Sequence, residues 1–196
     1  QYDPARAKAL LDLYGYIDRD GDGWRDLPDG KPLVIVYSTQ PESINREFDT
    51  LWKKNLDAIG VKTTFNVGKW AEQLKSARAG KLQVWSLSSS AAALDGQSAF
   101  MRLHGPQAAG QNLARFKNAE FDAIYDRMQA MPNGPERDAL FVELKKIAVA
   151  YMPYRSTVHA ISTDMWHPWV IGFRRPLFWN EWWHMVDVDM ARKPRS

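Results

Sequence analysis

A chain of 196 residues with 45% hydrophobic and 25% charged residues carries enough apolar material for a packed core and lacks the composition of a disordered segment. Its 26 basic and 23 acidic residues leave a net charge of only +3, spread along the chain, which argues against a nucleic-acid partner. Cysteine is absent, so disulfides, thiol catalysis and cysteine-type zinc sites are excluded, and no run of 18 apolar residues reads as a membrane span.

The chain starts at Gln1 without a signal-peptide pattern, and Gln1 is expected to mark a processed or trimmed end. Asp3-Pro4 reads as a helix start, with Ala7, Leu10, Leu11 and Tyr14 at helical spacing and Gly15 as the stop. An aspartate-rich segment follows, and then a strand over 31–39. Its run of Leu33, Val34, Ile35 and Val36 predicts burial on both faces. Phe48, Leu51, Trp52, Leu56 and Ile59 form a helical stripe ended by Gly60. A strand over 61–67, a helix carrying Trp70, Leu74 and Ala77, and a strand over 82–87 complete the pattern. Strand, helix, strand, helix, strand with short links predicts an α/β fold with a mainly parallel sheet flanked by helices.

Beyond it, 99–103 reads as a short helix. Asn118 caps a helix with Phe121, Ile124, Tyr125 and Met128 inward. Pro135 opens another with Leu140, Phe141, Leu144, Ile147, Ala148 and Tyr151 inward. The rest is an aromatic tail of strand and loop. Nine tryptophans are present, and Trp166, Trp169, Trp179, Trp182 and Trp183 fall within 18 residues. These rings serve either as core, as a ligand surface, or as a face for a part of the protein outside this sequence.

The sharpest local motif is Asp18, Asp20, Asp22, Gly23. As a twelve-residue calcium loop it places Asp18, Asp20 and Asp22 at positions 1, 3 and 5 and Gly23 at the sharp turn. The Trp24 carbonyl, Asp26 and Asp29 then take positions 7, 9 and 12, where Asp replaces the usual bidentate Glu. A structural Ca2+ is one reading; a solvated loop of aspartates bonded to backbone amides is the other. The histidines His104, His159, His167 and His184 lack zinc-site spacing. The serines at 86 and 88–90 lack a nucleophile elbow, although a serine hydrolase stays open as an alternative.

Three stretches carry a family resemblance: 2–11 with the aspartate loop and the strand after it; Leu51-Trp52-Lys53-Lys54-Asn55-Leu56 through Gly60-Val61, Trp70 and Ala79-Gly80; and 114–122 followed by Pro135-Glu136-Arg137. Together they resemble the C-terminal portion of family 5 extracellular solute-binding proteins, the dipeptide and oligopeptide receptors of ABC importers. The resemblance implies a lobe of the type II periplasmic-binding-protein fold over 1–160 and a closing tail over 161–196 that packs on a first lobe. It also implies a periplasmic location, a peptide or other small ligand, a membrane permease as partner, and binding rather than catalysis. A ligand-sensing domain of a regulator is the alternative.

In open α/β sheets ligands sit at the carboxyl ends of strands. That rule and the resemblance select Tyr37, Ser38, Trp85, Ser86 and Ser88, with Asp95 nearby. Trp85 matches the family's pocket tryptophan, preceded here by Val84 instead of Gly. Ser88 stands where peptide receptors often carry an Asp for the peptide α-amino group, and a hydroxyl does not supply that charge.

Overall fold

A computed structural model describes residues 2–89, 95–159, 161, 163–176, 178 and 183–193. The chain forms two compact units, 1–87 and 88–196. The boundary drawn from sequence between 160 and 161 falls inside the second. Ser90, Trp179 and Trp182 lie outside the described residues.

In the first unit α1 (Pro4–Leu13) begins as expected: the Asp3 carboxylate accepts the Arg6 amide and proline fills the first turn. The sheet comprises β1 (Val34–Thr39), β2 (Lys62–Val67) and β3 (Val84–Trp85), in the order β2-β1-β3 and all parallel. The connecting helices are α2 (Ser43–Asp57) and α3 (Trp70–Arg78). All three strands are shorter than expected. Lys31 and Pro32 are used in a turn, where the Leu27 amide donates to the Lys31 carbonyl and Pro32 bridges to Asp26. The expected burial on both faces does not hold. Val36 is 41% exposed, because alternation turns it away from Ile35 and Tyr37. Phe48, Leu51 and Trp70 are likewise exposed, as are Leu10 and Tyr14 of α1. Trp52, Leu56 and Ile59 form the covered side of α2, while Gln73 and Ala77 are the buried residues of α3.

Arg25 ties this unit together. Its Nε donates to the Ile59 carbonyl at 2.7 Å, and its Nη1 donates to Asp12 and to the Tyr16 carbonyl. Its amide donates to the Gly60 carbonyl. Gly60 has φ +77°, and a Cβ there would sit 3.4 Å from Arg25 Cγ, so both backbone and packing call for glycine.

The second unit is helical at its centre. After α4 (Gln97–Phe100) and two single 3₁₀ turns come α5 (Ala119–Gln129) and α6 (Pro135–Tyr151). Asn118 caps α5 as expected, accepting the Phe121 amide at 2.8 Å. Phe121, Tyr125, Met128, Leu140 and Leu144 join Leu103 in the core. Tyr151 departs from its expected inward place and is 65% exposed at the helix end, where Met152 takes the left-handed conformation. The aromatic tail contributes an antiparallel pair, β4 (Val170–Ile171) with β5 (Asp187–Val188).

Arg137 is the buried cation of this core. It is 5% exposed and pairs with Asp95 at 2.9 Å. It also donates to the Met128 carbonyl, Asn133 and Gln97, and lies over the Phe141 ring. Removing one member of such a pair strands the other without water. Arg137→Met is therefore expected to cost about 3 kcal/mol, measured by chemical denaturation; a loss below about 1 kcal/mol would mean that Asp95 is resolvated freely.

Candidate ligand-binding site

Parallel register decides which candidate residues meet. Tyr37 lies opposite Val84, and Ser38 opposite Trp85. Successive side chains alternate across a strand, so Tyr37 and Ser38 point to opposite faces, and Trp85 shares the face of Ser38. The four candidates of the first unit therefore gather at the carboxyl ends of β1 and β3, but as two pairs on two faces.

On one face Tyr37 is 7% exposed, with its ring 6.2 Å from Trp52 and 5.8 Å from Phe65. Burial pushes its phenol up, hydrogen bonding with Ser86 opposes this, the Asp49 charge adds to it, and hydrogen bonding with Trp52 opposes it again. Asp49 enters here from the second turn of α2. Burial pushes its carboxyl above the ordinary 3.8, against hydrogen bonding with Thr39. On the other face Ser38 is 1% exposed. Trp85 is half-buried, and its Nε1 is shielded from solvent without a hydrogen-bond partner among the described residues.

Sequence reasoning placed Trp52 on the helical stripe, where the structure covers it, but missed Asp49. A signal was present: Asp49, Trp52, Leu56 and Ile59 follow one another on one helical face. A carboxylate continuing a covered stripe toward a strand end is the pattern to look for.

Ser88 and Asp95 belong to the second unit. Ser88 is exposed. Asp95 is committed within its own unit, pairing with Arg137 and accepting the Gln97 amide at 3.3 Å. Ser86 lies in a unit whose sequence contains no histidine to act as its base.

The aspartate loop forms as a tight turn. Asp18, Asp20 and Asp22 each offer an oxygen, and these lie within 4.8 Å of one another. Asp18 accepts the Gly21 and Gly23 amides at 2.7 and 2.9 Å, Asp20 accepts Asp22, and Asp22 accepts Trp24. Gly23, at φ +90°, makes the sharp turn. The other expected carboxylate ligands are not in this group. Asp26 is 6% exposed and accepts the Arg19 amide at 2.9 Å. Asp29 bonds the Lys31 amide and ammonium, the latter at 2.6 Å, and the ammonium holds its carboxyl below the ordinary value. A groove of about 390 Å³ beside the loop is lined by Lys8, Asp12, Asp18, Arg25 and Asp57.

The raised Asp49 carboxyl has a sign that can be checked. A group whose folded-state pKa is raised favours folding when protonated, and that contribution is lost as pH rises through the folded value. Ionised Asp49 thus costs stability at neutral pH. Asp49→Asn keeps an oxygen to accept from Thr39, so it is expected to raise the melting temperature by roughly 1–2 °C. The gain should shrink as pH falls through the raised pKa and vanish below about 3.8, the ordinary value. Thermal melts across pH 3–8 measure it; a loss that grows as pH rises would show that Asp49 is instead stabilising when ionised.

Comparison with known proteins places this geometry. The model for bacterial extracellular solute-binding proteins, family 5 (middle), matches residues 1–111, more than half of the chain. A haem-binding protein A of Haemophilus influenzae is 28% identical over 190 residues, covering 96% of this chain and 33% of the relative. A di/tripeptide-binding protein of Pseudomonas aeruginosa is 27% identical over 177 residues, covering 88% of this chain and 31% of the relative. The chain thus spans about a third of the length of the curated relatives it matches. Among solved structures, the oligopeptide-binding protein AppA of Bacillus subtilis, in complex with a nonapeptide, superposes with a TM-score of 0.70 at 21% identity, covering 79% of this chain and 31% of that one. The fold expected from sequence is therefore the one found, and the chain belongs to the family 5 bacterial extracellular solute-binding proteins.

Proposed function

We propose that the complete protein is the solute-binding component of an ABC importer, working in the periplasm. It takes a peptide or other small solute at the carboxyl ends of β1 and β3 and delivers it to a membrane permease. Family membership carries this reading, and the candidates at those strand ends, Tyr37 with Ser86 on one face and Ser38 with Trp85 on the other, support it. The relatives' names span haem and di/tripeptides, so the solute class is left to experiment.

The mechanism is binding without a chemical step. A solute held between two lobes favours the closed form by its differential affinity, and the permease reads that form. The second lobe is the proposed partner of the tail. Ile161, Met165 and Trp183 are 96%, 91% and 72% exposed, which suits a segment that packs on something further. Ser88 and Asp95 remain proposed contributors from the second unit, Asp95 only at the expense of its Arg137 pair.

Calcium enters this proposal only as a weak structural ligand. Asp18, Asp20 and Asp22 supply three oxygens, whereas Asp26 and Asp29 are engaged elsewhere. Few ligands on an exposed loop correspond to affinities of about 10⁻⁴–10⁻³ M. Millimolar Ca2+ is expected to raise the melting temperature of EGTA-treated protein, and micromolar Ca2+ to leave it unchanged; no shift at 10 mM would remove calcium from the account.

The main test is a thermal-shift screen of the complete gene product against di- to octapeptides, haem, sugars and opines. A rise with at least one solute is expected, and Trp85→Ala should weaken that binding about tenfold, or 1.4 kcal/mol. Residues 1–196 alone should bind more weakly than micromolar; sub-micromolar binding by this stretch would contradict closure between two lobes.

A further inference from the structure

We propose that Asn133 is a site of covalent self-modification: the Gly134 amide nitrogen closes on the Asn133 side chain to a succinimide, and the Arg137 guanidinium promotes the closure. The products are aspartate and isoaspartate at position 133.

The electrophile is already polarised. Asn133 Oδ1 accepts from Arg137 Nη1 at 3.0 Å. Negative charge develops on that oxygen as a nitrogen attacks Cγ, and a cationic donor fixed in advance stabilises it. Arg137 is fixed in advance: it is 5% exposed and held by Asp95, Gln97 and the Met128 carbonyl. Asn133 itself is exposed, so water reaches it for the later hydrolysis.

The nucleophile has no competing bond. Among the described residues the Gly134 amide donates to no acceptor, while its carbonyl accepts the Asp138 amide at 3.0 Å. Glycine puts no side chain at the point of attack, and even a Cβ built there meets nothing within 4 Å. The two reacting groups are neighbours in one chain, so ring closure needs no encounter step. Of the seven asparagines, Asn133 is the one followed by glycine. Asn118 shows the contrast: its Oδ1 accepts the Phe121 amide as a helix cap, and Ala119 follows it.

The atoms balance as an amide hydrolysis. The Gly134 nitrogen gives its proton to water and bonds to Cγ, the Cγ–Nδ2 bond breaks, and ammonia leaves. Water then opens the ring at Cγ to give aspartate, or at the backbone carbonyl carbon of residue 133 to give isoaspartate. Either product adds a carboxylate, which lowers the net charge of +3 by one. Aspartate keeps an acceptor oxygen toward Nη1 and gives Arg137 a second anion besides Asp95. Isoaspartate lengthens the backbone directly before α6.

The test incubates the complete gene product in heavy-oxygen water near neutral pH and follows the tryptic peptide 128–137, whose one asparagine is Asn133. Conversion to a mixture of isoaspartate and aspartate is expected, with one heavy oxygen taken up and a rate that rises with pH. The peptide that carries Asn118 should stay unchanged. The folded protein is expected to convert at least as fast as the same chain in denaturant, because Arg137 assists only in the fold. Gly134→Ala should fold as wild type, since φ at 162° is extended backbone that any residue adopts. It should slow conversion by about tenfold or more, because a methyl group disturbs the approach. An unmodified Asn133 in folded protein, over a time that converts the denatured chain, overturns the site. Aspartate without isoaspartate overturns the succinimide route, as does an unchanged rate in Gly134→Ala. Slower conversion in the folded than in the denatured chain overturns the part given to Arg137.

Discussion

A guanidinium removed from water must find an acceptor for nearly every N–H, and this requirement organises both units of the chain. Arg25 draws the end of α1, the aspartate loop and the last turn of α2 onto one side chain, through Asp12, the Tyr16 carbonyl and the Ile59 carbonyl. Two of these acceptors are backbone carbonyls at chain turns, groups that would otherwise be left for solvent. Arg137 does the same for the α5–α6 core, with Asp95, Gln97, Asn133 and the Met128 carbonyl converging on it. Burial of either arginine without its set would cost more than the surrounding apolar contacts return. The position of β1, and with it the strand-end cluster, depends on the loop that Arg25 fixes: the Leu33 amide, one residue before the strand, bonds to the Arg25 carbonyl.

These structural commitments account for most of the acidic groups that sequence put forward as functional. Asp26 and Asp29 shape the turn that leads into β1, and Asp95 serves Arg137. Asp18, Asp20 and Asp22 hold their own loop through backbone amides, the ordinary use of aspartate in turns. Asp49 is in no ion pair among the described residues, and hydrogen bonding with Thr39 is what opposes its burial. It continues the inner face of a helix whose remaining positions are Trp52, Leu56 and Ile59.

Sequence made the architecture legible because its signals were local. The strand-helix alternation, the Asn118 cap, Pro135 at a helix start and glycines at helix ends each act over a few residues, and each appears where it was read. Burial was less legible. Val36, Phe48, Leu51 and Trp70 look like core by hydropathy yet are exposed, since periodicity finds an apolar face without telling what covers it. Within the site, the alternation of Tyr37 and Ser38 was readable in principle, but the pairing of Ser38 with Trp85 required the register. Asp95 showed the opposite failure. Its proximity in sequence to Ser88 suggested a ligand contact, and nothing in the local pattern pointed to Arg137, 42 positions away.

On the proposed reading the strand-end residues serve recognition. Burial and the Asp49 charge both push the Tyr37 phenol up, away from the range where it would exchange protons at neutral pH. Hydrogen bonding with Ser86 opposes that shift, and the sequence of this unit contains no histidine. Trp85 has a shielded indole N–H with no hydrogen-bond partner among the described residues, a donor that an incoming acceptor would satisfy. The Trp85 indole shares the Ser38 face of the sheet, whereas the Tyr37 phenol lies on the other. As a proposed binding site, the strand end would discriminate among solutes by leaving the wrong ones with unpaired groups, a form of selectivity that needs no reaction to enforce it.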